Sequence, residues 1–241
     1  MAQPNLSLIV PAYNEESRIV PSIEKIAQYL DAKKMDYELL VVDDGSSDGT
    51  AAVVQDLAER NPRILLLKNA QNEGKGNSVK KGVLAAKGEI IFFTDADLST
   101  PIEETEKFLR ELKTYDIVIG SRSIEGADVR VHEPLYRELL GKLFNKFVRA
   151  LCVSGIVDTQ CGAKMFKQAA AKKIFPLMKT ARFSFDVEAL FLARRFGFKI
   201  KELPVQWFYS ANTRVRTFQD GPQMLWDLLK IRWIHRNTQR D

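Results

Sequence analysis

Residues 88–100 read GEIIFFTDADLST. An apolar run from Ile90 to Phe93 is followed at once by two carboxylates, Asp95 and Asp97, two residues apart. In a strand, alternate side chains share a face. A strand continued to Asp97 would therefore set both charges together beside a hydrophobic core, a repulsive arrangement unless a cation joins them. Mg2+ and Mn2+ take hard oxygen ligands, and phosphate oxygens commonly complete the shell. A second acidic stretch, VVDDGSSDGT, gathers Asp43, Asp44 and Asp48 around Gly45 and Gly49. Loop formation and helix capping explain Gly45, Ser46 and Asp48. They do not explain two acids at the end of Leu-Leu-Val-Val, where a carboxylate can accept hydrogen bonds from a base edge or a ribose.

Spacing argues against two other uses of the Asp95–Asp97 pair. Counted from Asp95, Glu106 falls at the twelfth position of a calcium loop. Thr100 then occupies the sixth, where such a loop needs Gly, and a strand precedes in place of a helix. A D-x-D after an apolar strand also resembles the aspartyl nucleophile of haloacid-dehalogenase-type phosphatases. There the acidic loop lies downstream, whereas here residues 43–48 lie upstream.

The elements that must carry these residues alternate. LSLIVPAY, YELLVVDD, RILLLKN, EIIFFTDAD and YDIVIGSR read as strands. SRIVPSIEKIAQYLDAKK, DGTAAVVQDLAER, GKGNSVKKGVLAAKG and PIEETEKFLRELKT read as helices between them. That order predicts an α/β fold, a mainly parallel sheet covered on both faces. Ligands on such sheets bind beyond the carboxyl ends of the strands. The unusual residues, 11–15, 43–48, 95–99 and 120–122, fall at those ends. The second half is less regular. It holds an amphipathic helix in PLYRELLGKLFNKFVRALCVSGI, a shorter helix in FDVEALFLARRFG, one or two strands in FKIKELPVQWF and a basic amphipathic helix in GPQMLWDLLKIRWIHRN. No repeat or linker divides the chain, so residues 1–241 are expected to form one domain.

Of the 241 residues 45% are hydrophobic and 28% charged, an ordinary globular composition. No apolar stretch approaches the roughly 20 residues needed to span a bilayer, and no signal peptide is expected. Two cysteines, Cys152 and Cys161, and two histidines, His132 and His235, form neither a disulfide framework nor a zinc site. A reducing, cytosolic compartment is expected. Residues 195–241 hold nine Lys/Arg against four Asp/Glu, which accounts for the whole net charge of +5. Such a segment either meets an anionic partner or forms a solvated helix face.

In order along the chain, LSLIVPAYNEE, VVDDGSSDGT, GKGNSVKKG, TDADLSTP and GSR resemble the family-two inverting glycosyltransferases of GT-A fold. DTQCGAKMF, FSFDVE and LPVQW resemble the branch that glycosylates polyprenyl phosphates, the dolichyl-phosphate glucosyltransferases foremost and the mannosyltransferases close behind. The resemblance implies a nucleotide-diphosphate sugar as donor, a polyprenyl phosphate as acceptor, and Mg2+ or Mn2+ at Asp95 and Asp97. It implies that residues 1–122 bind the nucleotide sugar and that residues 123–241 face the acceptor. Pro11, Tyr13 and Glu15 match the first nucleotide-contacting turn, Asp43 the acid that meets base or ribose, with Asp44 beside it, and Lys75 a position near the nucleotide. Arg122 and Arg137 match basic positions near the acceptor phosphate, and Arg214 and Arg216 a basic segment closing over the diphosphate. Asp186 is the better placed acid for the acceptor pocket, and Glu188, two residues on, cannot share its direction on a helix. A hydroxyl acceptor would instead need a base, for which Asp186 or Asp158 would serve. A basic binding module without activity is the non-enzymatic alternative.

A lipid acceptor must be reached from the membrane surface, at the cytoplasmic face, by a protein without a spanning helix. Leu135, Leu139, Leu143, Phe147 and Leu151 recur at helical spacing among Arg137, Lys142, Lys146 and Arg149. Leu225, Trp226, Leu229, Trp233 and Ile234 accompany Lys230, Arg232, His235 and Arg236. Basic residues beside Trp and Leu suit an interfacial helix. The competing expectation is that these faces pack on the sheet or against a second copy of the chain in a homo-oligomer. Nucleic acid is not an expected partner.

Overall fold

The computed structural model describes residues 4–131, 135–208 and 217–238, with backbone alone for 131, 135–138, 142 and 217–220. Among the described residues, seven strands form one sheet in the order β3-β2-β1-β4-β7-β5-β8. These are β1 (Leu6–Ala12), β2 (Tyr37–Asp43), β3 (Ile64–Lys68), β4 (Ile90–Phe93), β5 (Ile117–Ser121), β7 (Lys164–Lys167) and β8 (Ile200–Pro204). A separate parallel pair joins β6 (Asp128–Val131) to β9 (Gln206–Phe208). The helices are α1 (Ile19–Ala32), α2 (Thr50–Arg60), α3 (Lys75–Ala85), α4 (Thr105–Leu112), α5 (Leu135–Leu151), α6 (Gln168–Ile174), α7 (Phe185–Arg195) and α8 (Thr217–Ile234).

The period of two along each strand divides the core into two layers. Ile9, Val42, Phe93 and Phe166 point into one layer with Phe185 and Leu190 of α7. Leu8, Val10, Val41, Phe92 and Met165 point into the other with Ile19, Ile23, Ile26 and Leu30 of α1. Both faces of β1 and β2 are covered, so their sequences are mostly apolar, with buried Ser7 and Glu38 bonded to each other near the strand starts. The expected α/β architecture is what the chain adopts.

Three local expectations change. β4 stops at Phe93, so Asp95 and Asp97 lie on the following loop and strand alternation does not align them. FKIKELPVQWF, read as one or two strands, makes two, and what changes is that they join different sheets. The third change matters most: β7 runs antiparallel between β4 and β5. Its first residue, Lys164, pairs with Phe93 and Ile119, so β7 begins where its neighbours end. The loop leading into β7 therefore arrives at the carboxyl edge of the sheet, carrying Asp158 and Gly162. A four-residue strand that opens and closes on lysine has no apolar signature of its own.

Candidate active site

Four loops meet at that edge. The first two interlock. The Asn14 amide donates to Ser46 Oγ at 2.9 Å, the Ser47 amide to Asn14 Oδ1 at 2.8 Å, and the Glu15 amide to Thr50 Oγ1 at 2.7 Å. Pro11 and Tyr13 are half-buried beside them. Glu15 is buried and receives a forked pair from Arg18, with Nη2 at 2.8 Å from Oε1 and Nε on Oε2. Arg18 Nη1 also stands 3.9 Å from Asp97 Oδ2, so it bridges the first loop to the second carboxylate of the pair.

Asp43 and Asp44, adjacent in sequence, are used differently. Asp43 accepts only long bonds from the Ser46 amide, at 3.3 and 3.4 Å. Asp44 accepts from Asn69 Nδ2 at 2.8 Å and from the amides of Glu73 and Gly74, both at 2.9 Å. Asp44 thus clamps the glycine-rich loop that starts α3, and Lys75 is the first residue of that helix.

Lys75 Nζ lies 2.5 Å from Asp95 Oδ1 and 5.9 Å from the Phe185 ring. Burial pushes the Asp95 carboxyl up, but Lys75, aided by Lys164 and Arg122, outweighs it and holds the group below the usual range. Burial pushes Lys75 down, and Asp95 and Asp186 more than restore it, leaving it above the usual lysine value. On the other side of Asp95 sits Gly162, where a Cβ would fall 2.0 Å from Asp95 Oδ2. Any side chain there would push the carboxylate out of place. Asp97 accepts the Ser99 amide at 3.0 Å. The turn between them is made by Leu98 at φ +49, a left-handed conformation that is uncommon outside glycine. Strain of this kind persists only where the surroundings enforce it. Here the Leu98 amide donates to Asp95 O at 3.1 Å, and Ser99 O accepts the Phe208 amide at 2.8 Å.

The loop before β7 completes the edge. Arg122, just past β5, gives a forked pair to the buried Asp158, with Nε at 2.7 Å and Nη2 at 2.9 Å, and stacks 5.2 Å over Trp207. Its own amide also donates to Asp158 at 3.0 Å. Burial pushes Asp158 up, but Arg122 prevails and holds it low. Lys164, fully buried, donates to Asp186 Oδ1 at 2.6 Å and to Cys161 O at 2.5 Å. Burial keeps the Asp186 carboxyl above its usual range despite Lys164 and Lys75.

Sequence reading brought Pro11, Tyr13, Glu15, Asp43, Lys75, Asp95, Asp97, Arg122 and Asp186 to this edge, and they meet there. The side chain of Arg137, and Arg214 and Arg216 altogether, lie outside the described residues. Arg18, Gly162 and Lys164 went unrecognised. A lysine inside the apolar stretch AKMF was the available signal for Lys164. Glu188 faces away from the site, as expected, and accepts from the amides of Lys179 and Thr180 and from His235.

Two acids on one loop provide hard oxygen donors for Mg2+ or Mn2+, and Gly162 leaves room only for the carboxylate. Among the described residues no group of three His, Cys, Asp or Glu could enclose a metal. Two carboxylates with an incomplete shell fit a cation whose remaining ligands are phosphate oxygens and water.

Residues 7–175 match the family described as Glycosyl transferase family 2. The chain is 38% identical to the dolichyl-phosphate beta-glucosyltransferase of Dictyostelium discoideum, with 95% of this chain and 74% of that protein covered. It is 34% identical to the Homo sapiens protein of the same name, with 94% and 74% covered. Among solved structures, glucosyl-3-phosphoglycerate synthase from Mycobacterium tuberculosis, in complex with Mn2+, UDP and phosphoglyceric acid, superposes with a TM-score of 0.70. That likeness covers 99% of this chain and 80% of the other at 18% identity, and speaks for the fold.

Proposed function

The chain belongs to glycosyl transferase family 2, and on that premise we propose that it moves glucose from UDP-glucose to dolichyl phosphate or a related polyprenyl phosphate, inverting the anomeric carbon. The observation that carries this reading is the Asp95–Asp97 loop at the carboxyl edge of the sheet, ringed by Lys75, Arg18, Arg122 and Lys164. That is a setting for a diphosphate held through a divalent cation. His235 is occupied with Glu188 on another part of the fold. A phosphate acceptor is already anionic at neutral pH and asks for no strong base, which agrees with a site built from cations and carboxylates.

In this mechanism Asp95 and Asp97 hold Mg2+ or Mn2+, which when bound supplies Lewis-acid stabilisation to the leaving diphosphate. Asp43 receives the base or ribose, while Pro11, Tyr13 and Glu15 form the adjoining wall. Asp44 acts through the loop it clamps, setting the position of Lys75. Arg122 is aimed by Asp158 and by the Trp207 face, so a phosphate oxygen meets an oriented guanidinium. Asp186 lines the acceptor side. The resemblance assigns Arg137 to the acceptor phosphate and Arg214 and Arg216 to the diphosphate, outside the described side chains. The single domain thereby divides into a donor half, residues 1–122, and an acceptor half.

The lipid would be met at the cytoplasmic membrane face by α5 and α8. No described helix is long and apolar enough to cross a membrane. α8 buries Met224, Leu228 and Ile231 and exposes Leu225, Trp226, Leu229 and Trp233. α5 exposes Leu139, Leu143 and Phe147. Exposed Lys146, Arg149, Lys230, Arg232 and Arg236 flank these apolar side chains. The test is transfer by the purified protein from UDP-glucose or GDP-mannose to dolichyl phosphate or to a saccharide hydroxyl. The proposal expects a β-linked glucosyl phosphate lipid, abolished by chelator. Faster transfer from GDP-mannose, or to the hydroxyl acceptor, would reject it.

A further inference from the structure

Lys75 is the cation in direct contact with Asp95. Oδ2 packs against Gly162, where a Cβ would fall 2.0 Å away, and Oδ1 is engaged by the ammonium at 2.5 Å. A metal–oxygen bond to a carboxylate is about 2.0–2.1 Å long for Mg2+. An ammonium and a dication drawn to the same carboxylate repel each other, so each weakens the other's hold on Asp95.

The surroundings fix the Lys75 backbone and leave its side chain able to move. Gly74 has φ +95, and a Cβ on Gly74 or Gly76 would lie 2.5 or 2.6 Å from the carbonyl oxygens of Ala181 and Thr180. The Asn77 amide bonds Ala181 O at 3.2 Å, pinning the first turn of α3. The Lys75 side chain, by contrast, is 26% exposed and lies on four rotatable bonds. A cation at a helix N-terminus is disfavoured by the helix dipole, so it is Asp95, with help from the fields of Asp186 and Asp97, that holds the ammonium in place. Once displaced it finds no vacant protein anion nearby. Two other carboxylates reach it by their fields: Asp186 is already bonded to Lys164 at 2.6 Å, and Asp97 is the cation's second ligand in this reading.

We infer that Lys75 is an internal counter-ion that the metal must displace from Asp95, and that the displaced ammonium then binds the donor's diphosphate. The inference rests on the reading of Asp95 and Asp97 as metal ligands. Metal alone must evict a lysine with nowhere to go, whereas metal with a nucleoside diphosphate brings the lysine its new partner. The protein would therefore bind free metal weakly and the metal–nucleotide pair well. Lys75 would oppose the first event and assist the second.

The experiment measures Mn2+ binding by electron paramagnetic resonance, without substrate turnover, in the parent protein and in Lys75→Met and Lys75→Arg, each with and without UDP. Removing one charge in contact with the ligand should tighten binding of Mn2+ alone about fivefold in Lys75→Met, the order of a single half-exposed charge contact. The strengthening of Mn2+ binding by UDP should shrink in the same variant. Lys75→Arg keeps the charge and should bind Mn2+ alone no better than the parent. It carries the test by itself should Lys75→Met lose its cooperative unfolding transition: tighter Mn2+ binding by the arginine variant overturns the inference. Equal or weaker Mn2+ binding by folded Lys75→Met overturns it as well. Should the parent fail to bind Mn2+ even with UDP, the metal reading falls and the inference with it. Parent binding that Lys75→Met leaves unchanged removes the inference alone.

Discussion

The two flanks of the site are held in shape by different means. On the flank of β1, β2 and β3 the loops bind one another mainly through amides and hydroxyls, with Asp43, Asp44, Glu16 and Asp48 accepting from amides. Asn14 and Ser46, Glu15 and Thr50, and Asp44 with Gly74 are the working pairs. On the flank of β5 and β7 the same task falls to buried charges. Arg122 is paired with Asp158 and Lys164 with Asp186, while Glu202 supports the Asp158 loop through the amides of Val157 and Asp158. Neutral bonds are cheap to lose one at a time. A buried charge pair is costly to break because the surviving partner stays behind, desolvated and alone. The donor flank should therefore tolerate single changes, and the acceptor flank should not.

The largest expected effect tests that contrast directly. Asp158→Ala leaves the Arg122 guanidinium and amide without their shared acceptor and should cost about 3–5 kcal/mol of stability. Ser46→Ala, on the other flank, should cost about 1 kcal/mol. Denaturant unfolding of both variants measures the difference. Comparable losses would show that the two flanks are built alike.

Asp97→Asn comes next and separates chemistry from architecture. Its carboxylate holds one amide and stands near Arg18, so the fold should survive with stability within about 0.5 kcal/mol. Transfer should fall by about 10²-fold or more, because a ligand and its charge are gone. Unimpaired transfer by this variant in the presence of chelator would refute the metal assignment.

The same contrast explains how far the sequence could be read. The donor flank is written locally. Apolar runs end in PAYNE, DDGSSDG and TDAD, and the residues that cap each run are the residues that line the site. The acceptor flank depends on the pairings of Arg122 with Asp158 and of Lys164 with Asp186, similar in reach to Asn14 with Ser46 but with acidic partners that cap no apolar run, so no local pattern announces them. They exist because β7 enters the sheet antiparallel, and a short strand interrupted by lysines shows neither alternation nor a continuous apolar run. The identity of Arg122 could be read from GSR, but not that a buried aspartate aims it. Asp44 adds what the sequence did not announce, since the acid beside Asp43 also clamps the glycine-rich loop.

A smaller effect concerns the surface next to the acceptor flank. Trp226 and Trp233 are 62% and 66% exposed, so replacing both with Ser should leave stability within about 0.5 kcal/mol per site. Transfer to a long-chain polyprenyl phosphate should fall about tenfold through loss of interfacial contact. Transfer to a short, water-soluble isoprenyl phosphate should hardly change. Binding to anionic vesicles should weaken as salt rises. An equal loss on both acceptors would assign these tryptophans to the fold or to a contact between copies of the chain.

The smallest effect asks whether the brittleness of buried charge extends beyond the site. Glu188 on α7 collects the Lys179 amide at 2.9 Å, the Thr180 amide at 2.7 Å and His235 Nε2 at 2.7 Å, joining α7 to the end of α8. Burial pushes this carboxyl up, but His235 and the two amides outweigh it and hold it below the usual glutamate value. The folded protein thus binds this proton less readily than the unfolded chain. The resulting stability is complete above the unfolded value of 4.5 and is lost as pH falls from there through the lower folded value. Glu188→Gln keeps the shape but offers one neutral oxygen to three donors, and should cost about 1–2 kcal/mol at pH 7. The cost should narrow as pH falls below 4.5, where the unfolded chain takes up the proton before the folded one. Melting temperatures of both proteins above and below that pH decide the matter: curves that stay parallel would mean that the three donors, and not the charge they surround, are what joins the two helices.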